Sequence, residues 1–256
     1  MLAANWKMYK SVAESQAWAE QLKAAVVEEG IGADRDLIVA PTHLALWAVA
    51  TVLADSGVAV AGQTLDLGVE GALTGAVSAY LLRQAGASWV LVGHSERRQH
   101  FGEDDALVAE KAKAARHAGL GVILCVGETE AERAAGATWS RLTQQLEPVV
   151  ARLSPADWAA MAVAYEPVWA IGSGRTPSPE EIGEAAAGLR QWLAAAVGPT
   201  AEATRILYGG SVNEQNLPEF WRQPGVDGAL VGGASLAVER FLAMARIPLV
   251  PGGGTQ

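Results

Sequence analysis

Short, continuous runs of hydrophobic residues recur along the whole chain. They are residues 2–4, 37–40, 58–61, 89–92, 122–126, 161–165, 206–208 and 229–231, of which the first is the weakest. Hydrophobicity within a run is continuous rather than alternating, which is typical of strands that are covered on both faces, as in a parallel sheet. The pattern therefore predicts about eight buried parallel strands.

The segments between these runs carry helix start signals. SVAE at 11–14 is a capping box, and Trp18, Leu22 and Ala25 follow it at helical spacing. SPEE at 178–181 is a second box with proline at the first helical position, and SVNE at 211–214 predicts a third helix start. Alternating strands and helices can close as a barrel or stay open as a doubly wound sheet. About eight units in 256 residues favour an α/β fold with one (β/α)8 barrel.

The domain organisation is predicted to be simple. No Pro-, Gly- or Ser-rich linker divides the chain, so we expect residues 1–256 to form one TIM-barrel domain. The last six residues, PGGGTQ at 251–256, are predicted to be a flexible tail.

Composition narrows the possible partners and compartment. The formal net charge of −9 disfavours nucleic-acid binding, and it requires any phosphate site to create its positive potential locally. Cys125 is the only cysteine, which excludes an internal disulfide and a cysteine-rich metal site and fits a reducing compartment. The sequence shows no signal peptide and no apolar run of the roughly 20 residues that a membrane span needs, so we expect a cytoplasmic protein without membrane contact.

Chemically capable side chains follow several of the predicted strands. Lys7 follows the first strand, His94 the fourth and Glu166 the sixth, and glycine pairs follow the seventh and eighth. In a barrel of this class the active site lies at these strand ends. Each residue alone has a structural explanation, such as a solvated lysine or a helix-start carboxylate. Their common placement favours a shared site.

The glycine pairs predict a phosphate site. Glycine lets the backbone approach a ligand closely, and N–H groups at helix starts bind anions. Gly209 and Gly210 precede Ser211, and Gly232 and Gly233 precede another predicted helix start. Phosphate sites in such barrels are often built after strands seven and eight.

Six segments of the chain resemble the triosephosphate isomerase family, in the family's order. They are ANWKM at 4–8, VGHSERR at 92–98, CVGE at 125–128, AYEPVWAIGSG at 164–174, YGGSV at 208–212 and LVGGASL at 230–236. The histidine and glutamate segments are long and highly specific. The resemblance implies interconversion of dihydroxyacetone phosphate and D-glyceraldehyde 3-phosphate through an enediolate, in glycolysis and gluconeogenesis, without a metal or an organic cofactor.

The resemblance also assigns roles to individual residues. Glu166 would be the base, His94 a neutral electrophile and Lys7 a cation that offsets developing charge. Asn5 would position the substrate, and Glu96 and Cys125 would support the site. Backbone N–H groups would contact the phosphate, at Gly172, Ser211, Gly232 and Gly233. The segment 167–174 would close over the substrate as a mobile lid.

The long segment from Gly62 to Ser78 is predicted to form a homodimer interface. Its spaced apolar residues need burial, and they are Leu65, Leu67, Val69 and Leu73. The resemblance implies that Thr74 lies near Asn5 and Lys7 of a second subunit. Ala76 stands where the family usually has glutamate.

Two alternatives remain open at this point. A different sugar-phosphate isomerase would share the late glycine turns but not the histidine and glutamate segments. A catalytically silent barrel would bind a phosphate ligand without turning it over.

Overall fold

The computed structural model describes residues 1–171 and 175–248. Within these ranges, eight parallel strands pair in sequence order, and the last pairs with the first to close a barrel. The strands are β1 Leu2–Asn5, β2 Leu37–Ala40, β3 Ala59–Gly62, β4 Trp89–Val92, β5 Gly121–Val126, β6 Met161–Tyr165, β7 Arg205–Tyr208 and β8 Gly228–Val231. Each predicted run overlaps one strand, and the predicted (β/α)8 barrel is confirmed.

Ten α-helices lie between and after the strands in the described part of the chain. They are α1 Val12–Glu29, α2 His43–Leu53, α3 Ala79–Gln84, α4 Ser95–Phe101, α5 Asp105–His117, α6 Glu130–Ala134, α7 Thr138–Val150, α8 Pro179–Val197, α9 Leu217–Trp221 and α10 Val238–Ala245. Short 3₁₀ turns occupy Pro155–Ala160, Val168–Ala170, Pro199–Ala203 and Gly233–Leu236. The capping boxes predicted before α1 and α8 are both formed.

The helix start predicted at Ser211 is wrong. The side chains of Asn213 and Asn216 each accept a hydrogen bond from the other's backbone N–H, at 3.0 and 2.8 Å, which folds this segment into a turn. Glu214 bonds Arg240 instead of capping a helix, and α9 begins only at Leu217. Any anion-binding N–H group at Ser211 therefore belongs to a turn and not to a helix start.

Two hydrophobic layers explain why the strands are continuously apolar. Side chains on one face of each strand pack outward against the helices, as Leu2, Val39 and Val163 do. Those on the other face fill the barrel interior, as Ile38 and Leu91 do. Both faces are therefore withdrawn from water, and only the strand ends leave polar side chains available to a ligand.

Candidate active site

A cavity of about 330 Å³ opens at the carboxyl ends of the strands. It is lined by Asn5, Lys7, His94, Glu166, Ile171, Gly209, Gly210, Ser211, Val212, Asn213, Leu230, Gly232, Gly233, Ala234 and Arg240. Besides Gly172, seven residues were predicted to touch or transform a substrate. They come from five chain segments, and all seven line this cavity. Gly172, and with it the 172–174 part of the predicted lid, lies outside the described residues.

Lys7 is held in a fixed position at the end of β1. Its backbone has a positive φ of 51°, and its N–H donates to Asn5 Oδ1 at 3.0 Å. Its Nζ donates to Glu96 Oε1 at 2.7 Å. Burial acts to raise the pKa of Glu96, but the hydrogen bond from Lys7 and the nearby positive charges lower it below its ordinary value. Glu96 thus orients the ammonium group as an ionised partner.

His94 caps the start of α4, and its two ring nitrogens have different partners. Nδ1 accepts a hydrogen bond from the backbone N–H of Glu96 at 3.2 Å. Since Nδ1 is an acceptor, the ring proton lies on Nε2, which is 3.1 Å from Glu166 Oε1. The geometry therefore assigns a neutral imidazole that donates from Nε2.

Glu166 follows β6 directly and is buried. Its Oε2 accepts a hydrogen bond from the backbone N–H of Ser95 at 3.0 Å, and its Oε1 faces His94. Both oxygens are therefore engaged with α4. Glycine is required beside this residue, because a Cβ at Gly127 would lie 1.7 Å from the Glu166 carbonyl oxygen. Gln145 fixes Gly127 in turn by bonding its N–H and its carbonyl oxygen at 2.8 and 3.1 Å.

Cys125 lies in the barrel interior beneath the site. Its thiol is fully buried, and burial together with the negative charge of Glu166 raises its pKa well above the ordinary value. Such a thiol stays protonated and unreactive. Its contribution next to Glu166 is as a small neutral group.

Glu128 is a buried carboxylate for which sequence reasoning assigned no role. It accepts hydrogen bonds from Tyr165 Oη at 3.1 Å and from Trp169 Nε1 at 2.8 Å. Its carbonyl oxygen accepts from the N–H of Val168 at 3.0 Å. The guanidinium of Arg133 lies 4.4 Å from the centre of the Trp169 ring. Glu128 thus anchors the segment that follows Glu166. The strand-end position of Glu128 in the sequence was the available signal.

The two glycine turns close one side of the cavity. Ser211 Oγ donates to the carbonyl oxygen of Ala170 at 3.4 Å, which joins the first turn to the segment after Glu166. A Cβ on Gly232 would lie 3.3 Å from Cε of Lys7, so the second turn borders the lysine side chain. Gly233 begins a 3₁₀ turn and has open space at its Cα. Residues of both turns therefore line the same cavity.

Two other features, a metal-binding cluster and a membrane-spanning helix, are not found among the described residues. No group of three or more His, Cys, Asp or Glu side chains in residues 1–171 and 175–248 is arranged to hold a metal ion. None of the helices there is long and apolar enough to cross a bilayer.

A second groove of about 260 Å³ lies on the other side of Lys7. Its lining residues include Met8, Leu44 and Gln63. Met8 and Leu44 are 92% and 89% exposed, the highest values among the large apolar side chains of the described residues.

The segment from Gly62 to Ser78 is only partly as predicted. Leu65 is buried in the chain's own core, because it packs against the helices that surround the barrel. Its inclusion among the side chains in need of a second subunit was therefore wrong. Leu67, Val69 and Leu73 are 42%, 62% and 64% exposed.

Comparison with known proteins points to one family over nearly the whole chain. The protein-family model described as triosephosphate isomerase matches residues 1–247. A protein named triosephosphate isomerase from Nitratidesulfovibrio vulgaris is 47% identical over 243 residues, which cover 94% of this chain and 96% of that protein. One from Thiobacillus denitrificans is 46% identical over 246 residues, covering 96% and 97%. One from Trichlorobacter lovleyi is 44% identical over 247 residues, covering 96% and 97%.

Proposed function

The chain belongs to the triosephosphate isomerase family, and we propose on this premise that it interconverts dihydroxyacetone phosphate and D-glyceraldehyde 3-phosphate with Glu166, His94 and Lys7 as catalytic residues. The observation that carries the assignment of residues is geometric. A carboxylate, a neutral imidazole donor and an ammonium group from three separate strand ends line one cavity. We further propose that residues 1–256 form one domain, that the protein acts in the cytoplasm, and that its reaction serves glycolysis and gluconeogenesis.

The chemistry requires Glu166 to act as a base toward carbon. It removes a proton from the carbon beside the substrate carbonyl, and the electron pair of the broken C–H bond moves to the carbonyl oxygen as an enediolate forms. Glu166 then returns the proton to the neighbouring carbon. Because burial excludes water around the carboxylate, the proton is not readily lost to solvent.

His94 and Lys7 stabilise the negative charge that develops on oxygen. The Nε2–H of His94 donates a hydrogen bond to that oxygen, and the ammonium group of Lys7 supplies the compensating charge. In the structure Nε2 faces Glu166 Oε1 at 3.1 Å. The bound substrate must therefore separate this pair, with its oxygen taking the histidine donor while Glu166 turns toward carbon.

The phosphate would be held by the N–H groups of Ser211, Gly232 and Gly233, with Gly172 added when the 167–174 segment closes as a lid. The lid proposal rests on the position of this segment directly after the base. In the described structure its first residues are packed, since Trp169 and Ala170 are buried and Trp169 bonds Glu128. Structures with and without a phosphate analogue test this proposal, and an unchanged 167–174 segment in the two would contradict it.

A coupled assay that starts from D-glyceraldehyde 3-phosphate tests the proposed function directly. We expect rapid, metal-independent formation of dihydroxyacetone phosphate. A catalytically silent barrel would bind inorganic phosphate in a calorimetric titration but give no turnover. That result from a folded, monodisperse sample would overturn the proposal.

We also propose a homodimer formed through residues 62–78. The proposal is supported by the exposed Leu67, Val69 and Leu73. It is also supported by the groove beside Lys7, where Met8 and Leu44 are exposed. Thr74 of one subunit would enter this groove near Asn5 and Lys7 of the other, and Ala76 would add only apolar contact. Light scattering at micromolar concentration should give twice the chain mass. A monomer with full activity would contradict both the dimer and its support of the site.

A further inference from the structure

An arginine–glutamate pair lies at the rim of the cavity, beside the two glycine turns. Arg240 is in the first turn of α10 and lines the cavity. Its Nε donates to both carboxylate oxygens of Glu214, at 3.0 and 3.1 Å, and its Nη2 lies 3.0 Å from Glu214 Oε2. Glu214 belongs to the turn after β7. The pair thus joins the chain segments that follow both glycine turns.

Arg240 matters because positive charge is scarce around this cavity. Among the described lining residues, Lys7 and Arg240 are the two whose side chains carry a permanent positive charge. Lys7 is already bonded to Glu96, in a chain of net charge −9. A doubly charged phosphate ester therefore meets one further cation at the glycine turns, and that cation is Arg240.

The pair is arranged so that the guanidinium can take a second partner. Nη1 of Arg240 makes no hydrogen bond to any of the described residues, and the side chain is 45% exposed. Guanidinium groups bind phosphate oxygens through two parallel N–H donors, and an ion pair with this much exposure is weak enough to rearrange.

Glu214 opposes this second interaction. Its hydrogen bond with Arg240 lowers the pKa of its carboxyl group to about 2, so the carboxylate is ionised throughout the neutral range. It partly cancels the charge of Arg240 and occupies the donors that a phosphate would use. Glu214 does not line the cavity itself.

We propose that Arg240 is a substrate-positioning residue that binds the phosphate group, and that Glu214 lowers substrate affinity by competing for the same guanidinium. The proposal rests on the function proposed above, and it adds a side chain to a phosphate site otherwise made of backbone N–H groups. The pair would set how tightly substrate and product are held, without taking part in proton transfer.

The two members of the pair have opposite predicted effects, which separates this proposal from a purely structural role. If the ion pair only fastened two loops together, removing either partner would loosen the site and weaken binding. If Arg240 binds phosphate, Arg240→Gln weakens binding, whereas Glu214→Gln releases the guanidinium and strengthens it.

The test uses inorganic phosphate as the probe, by calorimetric titration and as a competitive inhibitor in the coupled assay. For Arg240→Gln we expect phosphate affinity to fall about three- to tenfold and KM for D-glyceraldehyde 3-phosphate to rise in parallel, with kcat within about twofold of wild type. For Glu214→Gln we expect phosphate to bind about two- to fivefold more tightly. Both effects should shrink as salt is raised from about 20 to about 200 mM, because the Debye length then falls from about 20 Å to about 7 Å.

The same helix provides matched controls. Arg246 is 46% exposed at the end of α10 and is bound by Glu29 at 2.8 and 2.5 Å, but it does not line the cavity. Arg246→Gln and Glu29→Gln make the same charge changes on an equivalent ion pair. Both should bind phosphate as the wild-type protein does.

Three outcomes would overturn the proposal. They are wild-type phosphate affinity in Arg240→Gln, weaker binding in both Arg240→Gln and Glu214→Gln, and an equal loss in Arg246→Gln. If Arg240→Gln does not fold, Glu214→Gln decides alone, since unchanged or weaker phosphate binding there contradicts the competition. If the wild-type protein shows no isomerase activity, the proposed function fails, while calorimetry with phosphate still tests Arg240.

Discussion

Replacing Glu166 by glutamine removes the proposed base while nearly preserving its shape. The carboxylate accepts the backbone N–H of Ser95 at 3.0 Å, and its other oxygen faces the Nε2–H of His94 at 3.1 Å. A glutamine amide has a single oxygen, so it can satisfy one of these donors. Its NH₂ group must face the other.

Two separate magnitudes follow from this arrangement. Loss of a positioned general base costs about 10²–10⁴ in rate, which is the expected fall in kcat. One buried donor left without a partner costs about 1–3 kcal/mol of folding free energy. For a chain of this size each kcal/mol lowers the midpoint of thermal unfolding by about 2–4 °C, so the variant should remain folded at 25 °C.

The coupled assay measures the first quantity and circular dichroism melting the second. Glu110→Gln is a suitable control, because Glu110 is 43% exposed and pairs with Arg152 at 2.5 Å on the outer helices. It should keep wild-type turnover. Glu166→Asp keeps the charge but withdraws the carboxylate, and it should retain more activity than Glu166→Gln. Wild-type turnover in a pure Glu166→Gln preparation would refute the assignment of the base.

Three further predictions concern other groups of the site and its surroundings. Lys7→Met keeps the aliphatic stem and removes the charge, so KM should rise and kcat should fall; full activity at low substrate would make Lys7 only a surface lysine. Cys125 should resist iodoacetamide at pH 8 in the native protein and react in 6 M guanidinium, because burial raises its pKa, and rapid native labelling seen by mass spectrometry would contradict its placement. Burial lowers the pKa of His43 below its ordinary value of 6.5 in the folded protein. The neutral ring therefore contributes to folding stability above pH 6.5, and this contribution is lost as the pH falls through the lower folded-state pKa. His43→Asn should accordingly flatten the fall in melting temperature between about pH 7 and pH 5, and an unchanged slope would contradict this reasoning.

The strands could be predicted from the sequence because each is buried on both faces, which leaves an uninterrupted apolar run such as 122–126. The active site of such a barrel lies where its strands end, so the positions of Lys7, His94 and Glu166 after three predicted strands were enough to group them. The capping boxes at Ser11 and Ser178 could also be predicted, because each is formed by two residues only three positions apart in the sequence.

Prediction from the sequence failed where a group finds a competing partner outside the local motif. SVNE at 211–214 has the composition of a capping box, but Arg240 takes the carboxylate of Glu214 and Asn216 takes the N–H of Asn213. Leu65 was assigned to an interface because nothing local shows that it turns into the core. The strand-end position of Glu128 is visible in the sequence, but its partners could not be predicted, since Tyr165 and Trp169 reach it from 37 and 41 residues away.

Closure of the barrel between β1 and β8 has a consequence for the order in which activity can arise. Leu2 pairs with Ala229, and the Lys7 side chain borders Gly232, so contacts across more than 220 residues complete the site. Such long-range contacts form late in folding, because the entropy of closing so large a loop must be offset first. Refolding intermediates with several strands in place would still lack the lysine beside the second glycine turn. The recovery of turnover therefore reports the final closure step, and helix content measured by circular dichroism should return before it.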